Sequence, residues 1–97
     1  MATTRADKTI NIRVLTSQGL AVSDEAVSLR VPGALGSFGV LRNHAPMVST
    51  LTAGRMSWRH PDGTERAFLV GEGILEITRN QCTVLTGSLK EETILAS

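Results

Sequence analysis

The side chains that could do chemistry in this sequence are few and scattered. There are two histidines, His44 and His60, and one cysteine, Cys82. They are too few for a structural zinc site without carboxylates, and no metal-ligand spacing is present. Glu72 and Glu76 share one face of a predicted strand, where carboxylates ordinarily form a solvated surface. The sequence therefore predicts no catalytic residue, no metal site and no cofactor.

The most unusual stretch is residues 32–47, in which Gly33, Gly36 and Gly39 recur at every third position. Glycine adopts backbone conformations that a Cβ forbids, so this pattern indicates a shaped, tightly turning segment. It does not open a helix, and it matches neither the Walker loop nor the dinucleotide-binding pattern, which disfavours a phosphate site. We therefore expect any functional surface to lie at residues 33–47 and to bind another protein.

Composition excludes several classes of function. The chain has 97 residues, 41% of them hydrophobic, which suits a single domain with a real core. Its net charge is +1, and its 10 basic and 9 acidic residues form no runs, so nothing indicates nucleic-acid binding. No apolar run approaches the roughly 18 residues of a membrane span. The N-terminus does not resemble a secretory signal, so we expect a cytosolic protein that reaches a membrane only through a partner.

Hydrophobic periodicity predicts an all-β fold. Ile10, Ile12 and Val14 alternate with polar residues, and similar short runs recur between turn signals. This pattern is typical of a sandwich or barrel. We predict a two-sheet sandwich of about ten short strands over residues 9–88, with a flexible N-terminus at 1–8. The tail, 89–97, would either begin a helix or add an edge strand.

Turns are predicted where polar residues, glycine or proline interrupt the strands. Ser23-Asp24-Glu25 is interpreted as one turn, and Pro32 is expected to end a strand because it lacks a donor. Asn43 is a candidate for positive φ. The remaining turns are assigned to Ser17-Gln18-Gly19, His60-Pro61-Asp62-Gly63 and Arg79-Asn80.

Several residues allow two interpretations. His44 either contacts a partner or satisfies local backbone carbonyls, and the residues alone favour the second. Leu35 and Phe38 either plug the core or form an exposed apolar patch. Trp58 is expected in the core, and Cys82 is expected to be a small buried hydrophobe.

A family resemblance covers about residues 10–87. It is carried by these segments in order: Val31-Pro32-Gly33, Gly36-x-Phe38-Gly39-Val40-Leu41, His44-Ala45-Pro46, Phe68-Leu69-Val70-Gly71-x-Gly73-Ile74-Leu75-Glu76-Ile77 and Cys82-Thr83-Val84-Leu85-Thr86. Together they resemble the signature of the epsilon subunit of F-type ATP synthases, which is called delta in mitochondria. The combination is far more specific than any one segment.

The resemblance implies two packed five-stranded sheets and a non-catalytic rotor subunit of the central stalk. Such a subunit binds the gamma subunit and the ring of membrane c subunits, and acts on the alpha/beta head only indirectly. It lies peripherally on the cytoplasmic face of the membrane without inserting into it. The segment matching Gly36–Gly39 would face the c-ring, and His44 would face gamma. The residues implied in partner binding are Leu35, Gly36, Ser37, Phe38, Gly39, Arg42, Asn43, His44, Ala45 and Pro46.

The sequence departs from the family pattern in two ways. The family often has an acidic residue where Ser37 stands and Pro-Gly where Arg42-Asn43 stand, so a variant c-ring contact is expected. The family also usually continues into a helical hairpin that inhibits ATP hydrolysis, whereas this sequence ends at Ser97. We therefore do not transfer nucleotide binding or control of hydrolysis. The alternative from the residues alone is a free-standing ligand-binding or interaction module.

Overall fold

Ten β-strands make up the part of the chain, residues 8–93, that this computed structural model describes. They are β1 (Ile10–Thr16), β2 (Gly19–Ala26), β3 (Ser28–Gly33), β4 (Gly36–Val40), β5 (Met47–Leu51), β6 (Gly54–Arg59), β7 (Glu65–Val70), β8 (Gly73–Thr78), β9 (Gln81–Thr86) and β10 (Leu89–Glu92). Most of the predicted flexible N-terminus, 1–8, lies outside the described residues. Within 8–93, no helix is long and apolar enough to cross a membrane.

The strands form two five-stranded sheets that share one junction. The first sheet has the order β4-β3-β6-β7-β10 and the second has the order β5-β8-β9-β1-β2. They are joined through β3 and β5, which pair only at Gly33 and Leu51. All strand pairs are antiparallel except β1 with β9. The two-sheet sandwich predicted from the sequence is confirmed.

The core is the aliphatic cluster that strand alternation places between the sheets. Ile10, Ile12 and Val14 are essentially unexposed, as their period of two predicts. Burying each such side chain stabilises the fold by about 1.5–3 kcal/mol. Trp58 and Phe68 stack within this core with ring centroids 4.8 Å apart. The expectation that Trp58 is a core residue is therefore confirmed.

An ionic strap ties the two end strands of the sandwich together. It is centred on Arg66 of β7, whose guanidinium donates to Asp24 Oδ2 of β2 at 3.2 Å. The same guanidinium holds both carboxylate oxygens of Glu91 on β10, each at 2.9 Å. The Trp58 indole N–H also donates to Asp24 Oδ2, at 2.9 Å. Arg66 therefore connects the last strand of each sheet across the edge of the core.

The turn predicted at Ser23–Glu25 is wrong. These residues instead continue β2, with Asp24 opposite the buried Ile12 of β1. A carboxylate on an inward face is tolerated here because Trp58 and Arg66 donate to it. Local sequence could not indicate this, because those donors lie far along the chain.

Two further boundaries differ from the sequence expectations. Pro32 lies inside β3 rather than ending it, because it serves as an acceptor there: its carbonyl receives the Thr52 N–H at 2.8 Å and the Thr52 hydroxyl at 3.2 Å. In the tail, Leu89–Glu92 forms an edge strand on β7, which decides between the helix and the edge strand. Leu89 packs against the core from this position.

The strap makes stability depend on pH. Burial tends to raise the pKa of Asp24, but hydrogen bonds from Trp58, the Glu25 N–H and Arg66 outweigh it and hold that pKa below its ordinary 3.8. Arg66 likewise lowers the pKa of Glu91. A depressed carboxylate pKa stabilises the fold above the ordinary value, and this stabilisation is lost as the pH falls through the folded-state pKa.

Replacing Asp24 should expose the contribution of the strap. We expect Asp24→Asn to lower the free energy of unfolding by about 1–3 kcal/mol at pH 7, because the charged acceptor of Trp58 and Arg66 is lost. The deficit should shrink as the pH falls toward 2, measured by urea unfolding. Glu76→Gln is the matched control, because Glu76 is exposed on β8 and has no ion pair within residues 8–93. A deficit that stays constant with pH would contradict this role.

Candidate functional site

The glycine-rich stretch folds into a hairpin whose tip protrudes from the junction of the two sheets. β3 and β4 pair up to Gly33 opposite Gly36, which leaves Ala34 and Leu35 as a two-residue turn. The tip is fixed to the second sheet because the Ala34 N–H donates to the Thr50 carbonyl at 3.0 Å. Leu35 is fully exposed at 105%. The hairpin therefore presents an apolar side chain on an anchored turn.

The three glycines of this stretch have different reasons to be glycine. A Cβ on Gly33 would lie 2.8 Å from both the Gly36 carbonyl oxygen and the Phe38 ring. Gly36 has a φ of 129°, which a side chain disfavours, although the space around it is open. Gly39 has neither restriction, since the nearest atom to its Cβ position would be 3.7 Å away. The regular spacing therefore does not reflect one repeated function.

The alternatives for Leu35 and Phe38 are resolved differently for each residue. Leu35 is the exposed apolar residue, whereas Phe38 is partly buried and packs against the core. Phe38 also forms one wall of a shallow groove of about 390 Å³ between the hairpin and β5. That groove is lined by Gly33, Ala34, Leu35, Gly36, Phe38, Met47, Val48, Ser49 and Thr50.

The 41–46 loop follows β4 and is fastened to two distant elements. Asn43 has the predicted positive φ, 67°, and its N–H donates to Asn80 Oδ1 at 2.6 Å. Arg42 Nη1 donates to the Thr9 carbonyl at 3.0 Å. These two residues, which depart from the family pattern, thus make internal contacts. The Arg42 side chain and the Asn43 main chain hold the shape of the loop.

His44 is half-buried within this loop. Its Nδ1–H donates to the Ala45 carbonyl at 2.8 Å, and its main-chain N–H donates to the Leu41 carbonyl at 3.1 Å. One ring nitrogen therefore has the local carbonyl partner that one interpretation predicts. Leu41 and Pro46 are exposed at either end of the loop.

The ten residues implied in partner binding fall into two surfaces. Leu35–Ser37 lie at the hairpin tip, whereas residues 42–46 follow the opposite end of β4. The five residues of β4 span about 17 Å at a rise of ~3.4 Å per residue, so the two surfaces are separate. Phe38 and Gly39 lie along the strand between them.

A third apolar surface was not singled out from the sequence. Ile74, Leu85, Leu15 and Leu20 are consecutive cross-strand neighbours on the outer face of the second sheet. A register shift after Val14 places Leu20 opposite Leu15. Ile74, Leu85 and Leu20 are about half exposed. The available signal was that β1 and β9 carry apolar residues at consecutive positions, so that one of each pair must face outward.

The chemistry available at these surfaces is recognition. Cys82 is buried, and burial raises the pKa of its thiol to about 11, so it remains a protonated thiol at neutral pH. Within residues 8–93, His, Cys, Asp and Glu side chains form no group of three that could hold a metal ion. The apolar surfaces suit contact with protein.

Comparison with known proteins identifies the family. The model of the ATP synthase, Delta/Epsilon chain, beta-sandwich domain matches residues 9–92. The chain belongs to this family.

Individual relatives agree with the family match. The ATP synthase epsilon chain of Rickettsia typhi is 33% identical over 82 residues, covering 82% of this chain and 74% of that protein. The Campylobacter fetus epsilon chain is 38% identical over 77 residues, covering 79% of this chain and 60% of the relative. The Chlorobaculum tepidum epsilon chain is 33% identical, and the match covers 84% of this chain and 92% of that protein. The matched region thus ranges from under two thirds to nearly all of a relative's length.

Two solved structures have the same fold. A chain in the cryo-EM structure of Euglena gracilis mitochondrial ATP synthase, OSCP/F1/c-ring in rotational state 1, superposes with a TM-score of 0.81 at 14% identity, covering 87% of this chain and 54% of that chain. A chain of the Tetrahymena thermophila mitochondrial ATP synthase central stalk/c-ring superposes with a TM-score of 0.67 at 12% identity, covering 82% and 64%. At these identities the similarity shows the fold alone.

The different roles of the three hairpin glycines can be tested by substitution. We expect Gly33→Ala and Gly36→Ala each to lower the free energy of unfolding by about 1–3 kcal/mol, through collision with Phe38 and through positive-φ strain respectively. Gly39→Ala is the control, and it should change stability by about 0.5 kcal/mol or less. Chemical denaturation of the three variants measures this. Equal effects at all three positions would contradict the separate roles.

Proposed function

We propose that this protein is a non-catalytic rotor subunit of an F-type ATP synthase. In this function it binds the gamma subunit and the c-ring, and so couples ion translocation to rotation and to ATP synthesis or hydrolysis. It lies on the cytoplasmic face of the membrane through these partners. Family membership over residues 9–92 supports the proposal. The similar solved chains come from structures that include a c-ring, which also supports it.

The observation that best supports partner binding at the hairpin tip is the exposure of Leu35. A fully exposed leucine at the end of an anchored hairpin contributes little to the stability of the isolated protein, because its apolar surface remains in water. Burial against a partner would recover that free energy. We assign the hairpin tip to the c-ring and the 41–46 loop, with His44, to gamma. Their separation along β4 allows one small sandwich to contact two partners at once.

The hairpin also suggests what the facing c-ring loop is like. Arg30 projects from β3 on the outer face of the hairpin, and its Nη1 lies 3.4 Å from Ser37 Oγ. Arg30 has no carboxylate partner among residues 8–93. This edge therefore presents the Arg30 cation beside Ser37, the position at which the family often has an acidic residue. We expect the c-subunit loop that faces it to be neutral or acidic rather than basic, because a basic loop would be repelled.

A free-standing ligand-binding module is less well supported. A groove of about 560 Å³ lies along β3, β4 and β6. Arg59 and Glu65 are among its lining residues, but they pair with each other at 2.9 Å, so their charges are already matched. Arg30 is the other charged lining residue and has no carboxylate partner among residues 8–93, so this groove presents a single unpaired cation rather than a cluster of polar groups that await a ligand.

The docking assignment can be tested with exposed positions. We expect Leu35→Asp and His44→Asp each to weaken co-purification of this chain with gamma and c subunits of the same organism by about tenfold, because each puts a charge into an apolar contact. Phe38 is avoided, because its substitution would disturb the core. Unfolding midpoints should stay close to that of the unmodified protein.

Leu20→Asp is the matched control for this test. Leu20 is also an exposed leucine, but it lies on β2, the end strand of the second sheet. We expect it to co-purify normally. Full-strength binding by both test variants would overturn the assignment, and selective loss in Leu20→Asp would move the interface to the outer face of the second sheet.

A further inference from the structure

The 41–46 loop and the turn between β8 and β9 are joined by a pair of asparagines. The Asn43 N–H donates to Asn80 Oδ1 at 2.6 Å, and Asn80 Nδ2 lies 3.5 Å from Asn43 Oδ1. Both residues have positive φ, 67° and 63°. Two turns that are 37 residues apart in sequence are therefore in direct side-chain contact.

Asn80 is itself held in place from two sides. Thr78 pairs with Gln81, so Arg79 and Asn80 form a two-residue turn in which both have positive φ. Asparagine suits this conformation because its short polar side chain tolerates left-handed backbone. The Asn80 carbonyl also accepts the Asn11 N–H of β1 at 2.9 Å. The side chain that reaches Asn43 thus projects from a rigid base.

Arg42 supplies a second anchor for the loop. Its guanidinium donates to the carbonyl of Thr9, a residue that is itself buried next to β1. The loop is therefore attached to the start of β1 and to the β8–β9 turn, although it runs from the first sheet to the second. Each anchor is a hydrogen bond within this chain, so neither needs a partner in order to form. Both instead restrict the shape in which Leu41 and His44 are presented.

We propose that Asn80 is a positioning residue for partner binding, which sets the 41–46 loop in its bound shape before the partner arrives. The inference rests on the proposed function, in which this loop contacts gamma. Fixing a flexible loop costs conformational entropy at the moment of binding. A loop already fixed by Asn80 avoids that cost, and a preorganised surface binds more tightly with the same contacts.

Asparagine at position 80 can be changed without breaking its turn. Asn80→Gly keeps a residue that readily adopts positive φ, but it removes the acceptor of the Asn43 N–H. Asn80→Asp keeps an oxygen acceptor in the same place. Arg79→Gly is the control, because it alters the neighbouring turn position and leaves the Asn43–Asn80 contact intact. All three changes are made in the full chain.

Two measurements separate this inference from the proposed function. Amide hydrogen exchange of Asn43 by NMR needs no partner, and affinity for the purified gamma subunit is measured by titration calorimetry. We expect Asn80→Gly to raise the Asn43 exchange rate at least tenfold and to weaken gamma binding about tenfold. Asn80→Asp should restore slow exchange and most of the affinity. Arg79→Gly should leave both quantities within about twofold of the unmodified protein.

Each other outcome has a definite meaning. An unchanged Asn43 exchange rate in Asn80→Gly would show that the hydrogen bond to Asn80 does not fix the loop, and would overturn the inference. Faster exchange with unchanged gamma affinity would overturn the positioning role while leaving the proposed function in place. If the unmodified protein does not bind gamma, both the proposed function and the positioning role fail. The exchange data still show in that case whether Asn80 fixes the 41–46 loop.

Discussion

A single residue pair, Gly33 opposite Leu51, holds the two sheets of this sandwich in one hydrogen-bonded array. The Ala34 N–H to Thr50 and the Thr52 N–H to Pro32 continue the contact on either side. The hairpin tip and the groove beside it both adjoin this junction. Gly33 has to lack a side chain there, because a Cβ would meet the hairpin's own backbone and the Phe38 ring. The same few residues thus join the two sheets and place the exposed hairpin tip.

The arrangement separates rigidity from recognition. Residues that shape the proposed docking surfaces pack inward or contact each other: Phe38 packs on the core, and Asn43 contacts Asn80. Residues available to a partner, Leu35 above all, make few contacts of their own. A small domain can act in this way as a connector, because its surfaces are fixed relative to one another by the strands between them. The opposite end of the sandwich is closed by Arg66, which joins β2 to β10.

Much of the fold could be predicted from local pattern. Alternation identified Ile10, Ile12 and Val14 as core residues, and Asp62-Gly63 marked a true hairpin turn, in which the Gly63 N–H donates to the His60 carbonyl. The failures share a cause, which is a partner distant in sequence. Asp24 looked like a turn residue because its donor Trp58 is 34 positions away.

The sequence suggests where partners bind and assigns Gly36–Gly39 and His44 to different partners, but it does not specify which residues of this stretch pack inward. The glycine spacing and the family signature pointed to residues 33–47, yet neither indicated that Phe38 packs on the core while Leu35 is exposed. The third apolar surface, which runs through Leu15 and Leu85, was missed because it depends on strand register and on the register shift after Val14. Such cross-strand neighbours are set by tertiary structure, and no local sequence pattern specifies them.

The most direct measurement is photo-crosslinking from position 35 in the assembled ATP synthase. A benzophenone amino acid would replace Leu35, the complex would be isolated and irradiated, and the crosslinked partner would be identified by mass spectrometry. We expect the main product to join this chain to the c subunit. Incorporation into the complex with crosslinks only to the alpha or beta subunits, or with none at all, would contradict the assignment of the hairpin tip to the ring.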